Sequence, residues 1–467
     1  MLFAFAGTYR WTTVPLAIGV AVLLLLAPPR VARRGTRLTD LALITTVAAI
    51  AVQLIPLPLN LRLAIAPSSI AYEQIARIAA GGGTPEPAGP ITVNVDATAF
   101  ALFITIVTLA LFWCARTAFR RGGVRTTIRG IALMGVVLAP LAVIQHTTAP
   151  HLFYWRWRSH IGNALVYTPF MNRNDFASWL VMAIPPTAGY AIAHIQSRRR
   201  TGEPFDPESA LDDKGLLLGT ALLVMMAGLL ASASRSGVAG AAAALMLFVL
   251  LSRGRMSRRW IVWMLVGTAA MVALAAVYAA NLGALTVRFA GVMSEGLTGR
   301  VAIWRQTWPM VRDFWPVGSG VGSYEQVMVL YQTTTSRLFY ISHADNEYLQ
   351  ILAEGGALVG VPVALALVAF IVTIVRRLRA DRTPLFWIRA GAASGMVAAA
   401  VQNLFEMTLR VPANAVLLAI LAAIATHESS SEPRQSAEMM TGHPVPADPR
   451  RAGEKSNPQG RRDQTSI

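Results

Sequence analysis

The stretch that decides the fold is YLQILAEGGALVGVPVALALVAFIVTIV, residues 348–375, which carries no charged residue after Glu354. At 1.5 Å of rise per residue, about 20 apolar residues in a helix cross a hydrocarbon core of about 30 Å. Ten further apolar runs occur, at residues 11–28, 38–56, 97–115, 130–149, 176–195, 215–233, 237–252, 260–280, 386–405 and 412–427. The sequence therefore predicts an all-α polytopic membrane protein with about 11 (10–12) transmembrane helices.

Composition and charge agree with this interpretation. The 467 residues are 54% hydrophobic, and the mean hydropathy of +0.50 is too high for a soluble chain of this length. Much of the net charge of +17 lies in short basic loops. These loops are residues 30–37, 116–129, 197–200, 252–259 and 376–382. With eleven spans and an exterior N-terminus, all five loops fall on one side, which the positive-inside rule makes cytoplasmic. Such short loops between spans do not favour nucleic-acid binding.

The chain divides into a membrane domain and a tail. The domain is predicted to cover residues 1–427, because the first apolar run lacks a small-residue cleavage site and reads as a retained span. Residues 428–467 are rich in Ser, Pro, Glu and Arg, which predicts a disordered cytoplasmic tail. The single cysteine, Cys114, lies in a predicted span, so no internal disulfide is possible.

The largest outer loop, residues 281–347, is predicted to hold a helix near residues 299–314. Apolar residues recur along this helix at steps of three and four. They are Val301, Trp304, Trp308, Val311 and Trp315. A Trp-rich stripe of this kind is typical of a helix that rests on the membrane interface.

Polar residues follow one face into the span that begins near residue 348. His343, Glu347, Gln350 and Glu354 are separated by steps of four, three and four residues. Ionisable groups inside a span usually face the protein interior and serve function, although a buried network that only joins helices would show the same pattern. Histidine titrates near neutral pH, so His343 is the candidate for proton transfer. Ser342, with Asp345 three residues later, is predicted to cap this helix.

Arginines gather on the same outer side. Arg235 lies in the hairpin ASASRSGVAG (231–240), and Arg173 follows Asn172 just before the fifth span. Arg300 opens the loop helix. Because guanidinium groups bind phosphate through paired, charge-assisted hydrogen bonds, these residues predict an anion site that suits a lipid-linked diphosphate. For Arg235 the alternative is an arginine that extends to lipid headgroups. No D-x-D metal motif occurs on this side.

Four motifs carry a resemblance to a known family. They are TPFMNRNDFA (168–177), SASRSG (232–237), GRVAIWRQTWPMVRDFWPVGSGVGSYEQ (299–326) and HADNEYLQILAEGG (343–356). In this order they resemble the O-antigen ligase/polymerase family of bacterial polytopic membrane glycosyltransferases, over roughly residues 166–410. Family patterns commonly place His beside Asn, whereas Ala344 and Asp345 intervene here before Asn346.

The resemblance implies a GT-C-like helical fold in the bacterial inner membrane, with an active site facing the periplasm. It implies a glycan donor linked to undecaprenyl diphosphate and transfer to an acceptor hydroxyl. His343 takes the catalytic-histidine place, and Arg300 and Arg235 take the arginine places. Chemically, a histidine base would activate the hydroxyl while arginines stabilise the leaving diphosphate, without metal or cofactor.

The remaining site candidates have supporting roles. Glu347 or Asp345 is predicted to orient the imidazole of His343. The predicted substrate-binding residues are Arg235, Arg300, Arg173, Asn172, Asn346 and Glu354.

The acceptor is left open by the sequence. It could be lipid A–core, as for a ligase, another repeat unit, as for a polymerase, or a protein Ser or Thr, as for an oligosaccharyltransferase. A transporter or flippase is less favoured, because transporters usually place polar sites at the membrane midplane between internal repeats. Here the polar residues gather on one side, and no repeat is visible.

Overall fold

A computed structural model describes residues 2–32, 35–82, 86–159, 164–199, 212–256, 297–333 and 340–428, with residues 262, 266 and 267. The predicted span at 260–280, apart from those three residues, and the predicted tail beyond residue 428 lie outside the described residues.

The described chain is almost entirely helical. Its α-helices are α1 (Val14–Leu26), α2 (Arg37–Val52), α3 (Leu59–Ile65), α4 (Pro67–Ala79), α5 (Val95–Phe119), α6 (Val124–Thr148), α7 (Arg173–Arg199), α8 (Asp213–Ala231), α9 (Arg235–Ser252), α10 (Leu297–Asp313), α11 (Tyr324–Met328), α12 (Glu347–Ala380), α13 (Leu385–Gln402) and α14 (Pro412–Thr426). Short 3-10 turns occur at Phe5–Gly7, Arg10–Thr13 and Thr408–Arg410. Two antiparallel pairs of two-residue strands complete it: β1 (Leu57–Pro58) with β2 (Ala88–Gly89), and β3 (Leu152–Phe153) with β4 (Trp157–Arg158).

The prediction of an all-α polytopic membrane protein is confirmed. Within the described residues, seven helices are long and apolar enough to cross a membrane, namely α5 to α9, α12 and α13. The apolar segments Arg10–Leu26 and Pro412–Thr426 are shorter. Every predicted span except residues 260–280 coincides with a helix of the structure.

Helix α13 lies at the centre of the packing, against α7 and α9. Small residues allow these backbones to approach closely. A Cβ atom on Gly189 of α7 would collide with the carbonyl of Trp387, and one on Gly240 of α9 would crowd the carbonyl of Ala398. Larger side chains at either glycine would therefore separate α13 from its neighbours.

The described basic loops meet at one end of the helices. Arg116 donates to both carboxylate oxygens of Asp40 at 2.8 Å, and Arg120 and Arg377 both pair with Glu428. Arg116 also donates to the carbonyl of Arg30, and Arg255 donates to the carbonyl of Asp381. These four basic loops thus share one side where they are described, as the charge pattern predicts. That this side is cytoplasmic remains a prediction of the positive-inside rule.

At the other end, the outer segment (residues 297–333), which contains α10 and α11, is hydrogen-bonded to α12. The amide of Gly320 donates to the carbonyl of Glu354 at 2.9 Å, and the Gln53 amide donates to the same carbonyl at 3.0 Å. Gly356 interrupts the helical geometry of α12 with φ of 55°. A Cβ atom there would collide with the carbonyl of Pro316, so glycine permits the contact. The segment therefore positions Arg300 relative to α12.

The predicted apolar stripe of α10 divides in the structure. Trp308 and Trp315 are 47% and 53% exposed, whereas Val311 is buried with Met310 and Phe314. The buried residues pack into a small core of the same segment, together with Tyr324 and other apolar residues. Contact of the exposed tryptophans with the membrane interface stays a prediction. Pro309 lies inside α10 without ending it.

Candidate functional site

Three helix N-termini meet at the end of the bundle opposite the basic loops. Ser234 caps α9 and donates to the side-chain oxygen of Asn174, in the first turn of α7, at 2.8 Å. Gln402 donates to the carbonyl of Asn174 at 2.9 Å, and the first amide of α12, that of Glu347, donates to the carbonyl of Asn403 at 3.0 Å. The end of α13 therefore links the starts of α7 and α12. Helix N-termini carry partial positive charge and favour anions.

Two exposed arginines stand at these helix starts. Arg173 is the first residue of α7, and Arg235 is the first residue of α9. Neither guanidinium has an ion pair or hydrogen bond to a residue that the structure describes. Because their neighbours Asn174 and Ser234 are hydrogen-bonded, the two arginines belong to one region of the surface. Their charges are available to an external anion.

The third predicted arginine is paired. Arg300 donates to Oε1 of Glu406, which lies between α13 and the turn Thr408–Arg410. Ser236 donates to the same oxygen at 3.3 Å. Burial raises the pKa of Glu406 to about 7, although the charge of Arg300 opposes this rise. The Nε–H donor of Arg300 is buried without a partner among the described residues.

A second ion network fixes the start of α12. Arg410 donates to Oε2 of Glu354 at 2.7 Å and to Oε1 of Glu347 at 3.3 Å. Glu354 is 1% exposed and also accepts from Gln350 at 3.0 Å and from the amide of Tyr324 at 3.2 Å. Its carboxylate thus joins α12 to the outer segment, which is the structural alternative left open by the sequence. The Oε2 atom of Glu347 is buried without a described partner.

His343 lies beside this network. Its Nδ1 atom lies 2.6 Å from the hydroxyl oxygen of Ser342. Desolvation lowers the pKa of His343 below its usual value, and the positive charge of Arg410 lowers it further. The charge of Glu354 acts in the opposite direction and raises the pKa, but desolvation and Arg410 together outweigh it. Glu347 pairs with Arg410 and not with the imidazole.

The predicted helix cap of α12 is also corrected. The helix begins at Glu347, and Asn346, not Ser342, is its cap, accepting from the amide of Leu349 at 3.0 Å. Asn172 plays the same role for α7, since its side-chain oxygen accepts from the amides of Asn174 and Asp175 at 2.8 and 2.9 Å. Capping therefore uses the oxygen of each carboxamide, and the substrate-binding role of Asn172 and Asn346 stays a prediction.

Asp345 sits between the two networks. Its backbone adopts φ of 49°, a left-handed conformation that aspartate tolerates better than most residues. Its charge acts on Glu406 and on Tyr324 and raises the pKa of both groups. Asp345 therefore contributes negative charge close to the Arg300–Glu406 pair.

Two charged residues of the site, Glu406 and Arg410, are not among the site residues predicted from the sequence. Glu406 and Arg410 are isolated charges in the segment QNLFEMTLR (402–410), and neither belongs to a recognisable motif. Their position just after an apolar run was the one available signal, since ionisable groups at the ends of spans often serve function. Among the described residues, no three His, Cys, Asp or Glu side chains are grouped as a metal site.

These features define a polytopic membrane protein with exposed arginines, a histidine and a network of ion-paired carboxylates at one end of its bundle. Residues 220–364 match the family model described as O-Antigen ligase. The match contains Arg235, Arg300, His343 and Glu354, so the resemblance to the O-antigen ligase/polymerase family is confirmed. Glu406 and Arg410 lie beyond the matched residues. A search of curated proteins finds no match to the chain.

Proposed function

We propose that this protein transfers a glycan from an undecaprenyl-diphosphate donor to an acceptor hydroxyl at the periplasmic face of the inner membrane. The family match supports glycan transfer of the ligase or polymerase type. The observation that carries the proposal is the pair Arg173 and Arg235, exposed at adjacent helix starts without a counter-ion among the described residues. Charge without a partner at such a place suits a diphosphate.

His343 is the proposed general base. Its lowered pKa keeps the imidazole neutral at pH 7. The Ser342 oxygen can accept a hydrogen bond from Nδ1–H, which leaves Nε2 unprotonated. Nε2 then takes the proton of the acceptor hydroxyl as the hydroxyl oxygen bonds to the anomeric carbon. The bond between that carbon and the diphosphate oxygen breaks in the same step, so the anomeric configuration inverts.

The arginines act on the leaving group. Negative charge develops on the diphosphate oxygen as the glycosidic bond breaks, and fixed guanidinium donors stabilise it better in the transition state than in the ground state. Arg173, Arg235 and Arg300 supply these donors. Arg410 holds Glu347 and Glu354 and so positions the start of α12, which carries His343 just before it.

The experiment uses the purified protein in lipid nanodiscs with an undecaprenyl-diphosphate-linked glycan. Three acceptors are tested separately: lipid A–core, a second donor molecule and a serine-containing peptide. Transfer to one of them establishes the reaction and identifies the acceptor class. Absence of transfer to all three, with protein that still binds the donor, would contradict the enzyme assignment and favour transport of the lipid-linked glycan.

Membrane orientation is tested independently. Alkaline phosphatase is active only outside the cytoplasm. A fusion after Gln332, in the outer segment, is expected to be active, and a fusion after Pro433 is expected to be inactive. An inactive enzyme at Gln332 with an active one at Pro433 would reverse the orientation and remove the lipid-diphosphate donor from the site.

A further inference from the structure

Arg300 differs from Arg173 and Arg235 because it is already paired with a carboxylate of the protein. Its guanidinium pairs with Glu406, while Arg173 and Arg235 have no described partner. An arginine bound to a carboxylate offers fewer donors to a phosphate, since both anions use the same N–H groups. Donor binding at Arg300 therefore has to displace Glu406 or share the guanidinium with it.

Each neighbouring element presents a defined group to Glu406. Arg300 comes from α10 and Ser236 from α9. Asn174 and Asp175 come from α7, and Asp345 comes from the segment before α12. Arg300 is the positive charge in this set, whereas Asp175 and Asp345 are carboxyl groups. Glu406 is also 8% exposed, so water does little to stabilise its charge.

An ionised Glu406 without Arg300 would therefore be unfavourable. Glu406 would keep the donors of Ser236 and Asn174. It would also face the carboxyl groups of Asp175 and Asp345 and the incoming diphosphate. A buried carboxyl group in such surroundings takes up a proton rather than remain charged. The protonated acid can still accept from Ser236 and can donate its own proton.

We propose that Glu406 is an internal anion that holds Arg300 in the donor-free protein, and that the donor diphosphate displaces it, leaving Glu406 as the neutral acid. Donor binding is then coupled to the uptake of one proton from solvent by the Glu406 carboxylate. This inference rests on the proposed function in one respect, namely that Arg300 contacts the diphosphate. It adds a regulatory element to the same site: acid favours loading of the donor.

The direction of the pH effect follows from the charge of Glu406. With a pKa of about 7, Glu406 is mostly protonated at pH 6 and mostly ionised at pH 8. Apparent affinity falls with the fraction of protein that is competent to bind, so the donor should bind about tenfold more weakly at pH 8 than at pH 6. A diphosphate with an ester at both ends has no ionisation of its own in this range.

Isothermal titration calorimetry measures the proton directly. The nanodisc-embedded protein is titrated at pH 8 with farnesyl-diphosphate-linked N-acetylglucosamine, without acceptor, in HEPES and in Tris, since a phosphate buffer would itself occupy an anion site. The difference in heat between two buffers of unlike ionisation enthalpy gives the number of protons taken up. We expect nearly one proton for the unmodified protein. Glu406→Gln mimics the neutral acid, so it should take up none and should bind at pH 8 about as tightly as the unmodified protein does at pH 6.

Glu325→Gln is the matched control. Glu325 is an exposed carboxylate in α11 of the outer segment, and it should leave both the proton count and the affinity unchanged. Binding by the unmodified protein without proton uptake would overturn the inference, and so would weaker binding by a folded Glu406→Gln variant. If that variant does not fold, the proton count of the unmodified protein decides alone. No donor binding at all would contradict the proposed function instead.

Discussion

The two ends of the helical bundle use arginine in opposite ways. At the basic end, Arg116 and Arg389 are nearly buried and pair with Asp40 and Asp381. At the site end, Arg173 and Arg235 are exposed and have no counter-ion among the described residues. A paired, buried arginine fastens helices to each other, and an unpaired one remains able to bind a ligand. The surroundings of each arginine therefore decide whether it can hold helices together or can bind a ligand.

The largest effect is expected for His343→Ala. Loss of a general base should lower turnover by ~10²–10⁴-fold at saturating donor, with donor affinity little changed, because the base acts in the transition state. The measurement is glycan transfer by the purified variant, beside donor binding. His151→Ala, an exposed histidine of another outer loop, is the control and should keep full turnover. Weaker donor binding with intact saturated turnover would instead make His343 a ligand of the diphosphate.

At the basic end, Arg116→Ala should destabilise the protein strongly. It leaves Asp40 fully buried without its cation, and breaking one partner out of a buried pair costs about 3–5 kcal/mol. The measurement is the unfolding midpoint in detergent, which should fall well below that of the unmodified protein. Arg235→Ala is the matched change at the other end, where stability should stay within about 0.5 kcal/mol. Equal losses of stability in both variants would remove the distinction between the two ends.

Lysine at the site arginines should reduce activity with the fold preserved. Lysine keeps the charge but lacks the planar fork that holds two phosphate oxygens. We expect transfer to fall by about 10²–10³-fold in Arg235→Lys and in Arg300→Lys, as on loss of one transition-state hydrogen-bond donor. Arg305→Lys, an exposed arginine on α10, should remain active. Normal turnover of both site variants would favour contact with lipid headgroups.

The pH dependence of turnover should follow the fraction of His343 that is neutral. A base works when unprotonated, so turnover at saturating donor should be flat near pH 7. It should fall by about tenfold per pH unit once the pH drops below the His343 pKa. Because desolvation and Arg410 lower this pKa, the fall should begin below the usual range of histidine. Arg410→Gln removes one of these causes but also leaves the buried Glu354 without its cation, so its unfolding midpoint is measured first. In folded Arg410→Gln protein the fall should move to higher pH, and an unmoved profile would contradict the role of Arg410.

Much of the site could be predicted because its residues lie in local motifs. His343, Arg235 and Arg300 each stand in a short recognisable segment, and the family match contains all three. The partners could not be predicted in the same way. Arg410 meets Glu347 and Glu354 across a separation of more than 50 residues, and Glu406 meets Arg300 across a greater one. The sequence around an isolated charge between two spans does not indicate which residue will pair with it.

Two local predictions show the same limit. Glu347 was a predicted partner of the His343 imidazole, but it pairs with Arg410, which is remote in sequence. The stripe on α10 was expected to rest on the membrane interface, and the structure leaves Trp308 exposed while Val311 packs into a small core of the same segment. Local periodicity identified a helix in both segments and could not say what the helix packs against.

The sequence by itself determined the helical membrane fold, the positions of the described spans and the residues of the motifs. These features depend on the hydrophobic length of each segment and on the identity of neighbouring residues, which are local properties of the chain. Only the tertiary structure decided which arginines are neutralised and which are exposed, and it placed Glu406 on Arg300. Ion pairing and desolvation depend on groups that are remote in sequence and adjacent in space, so no local pattern encodes them.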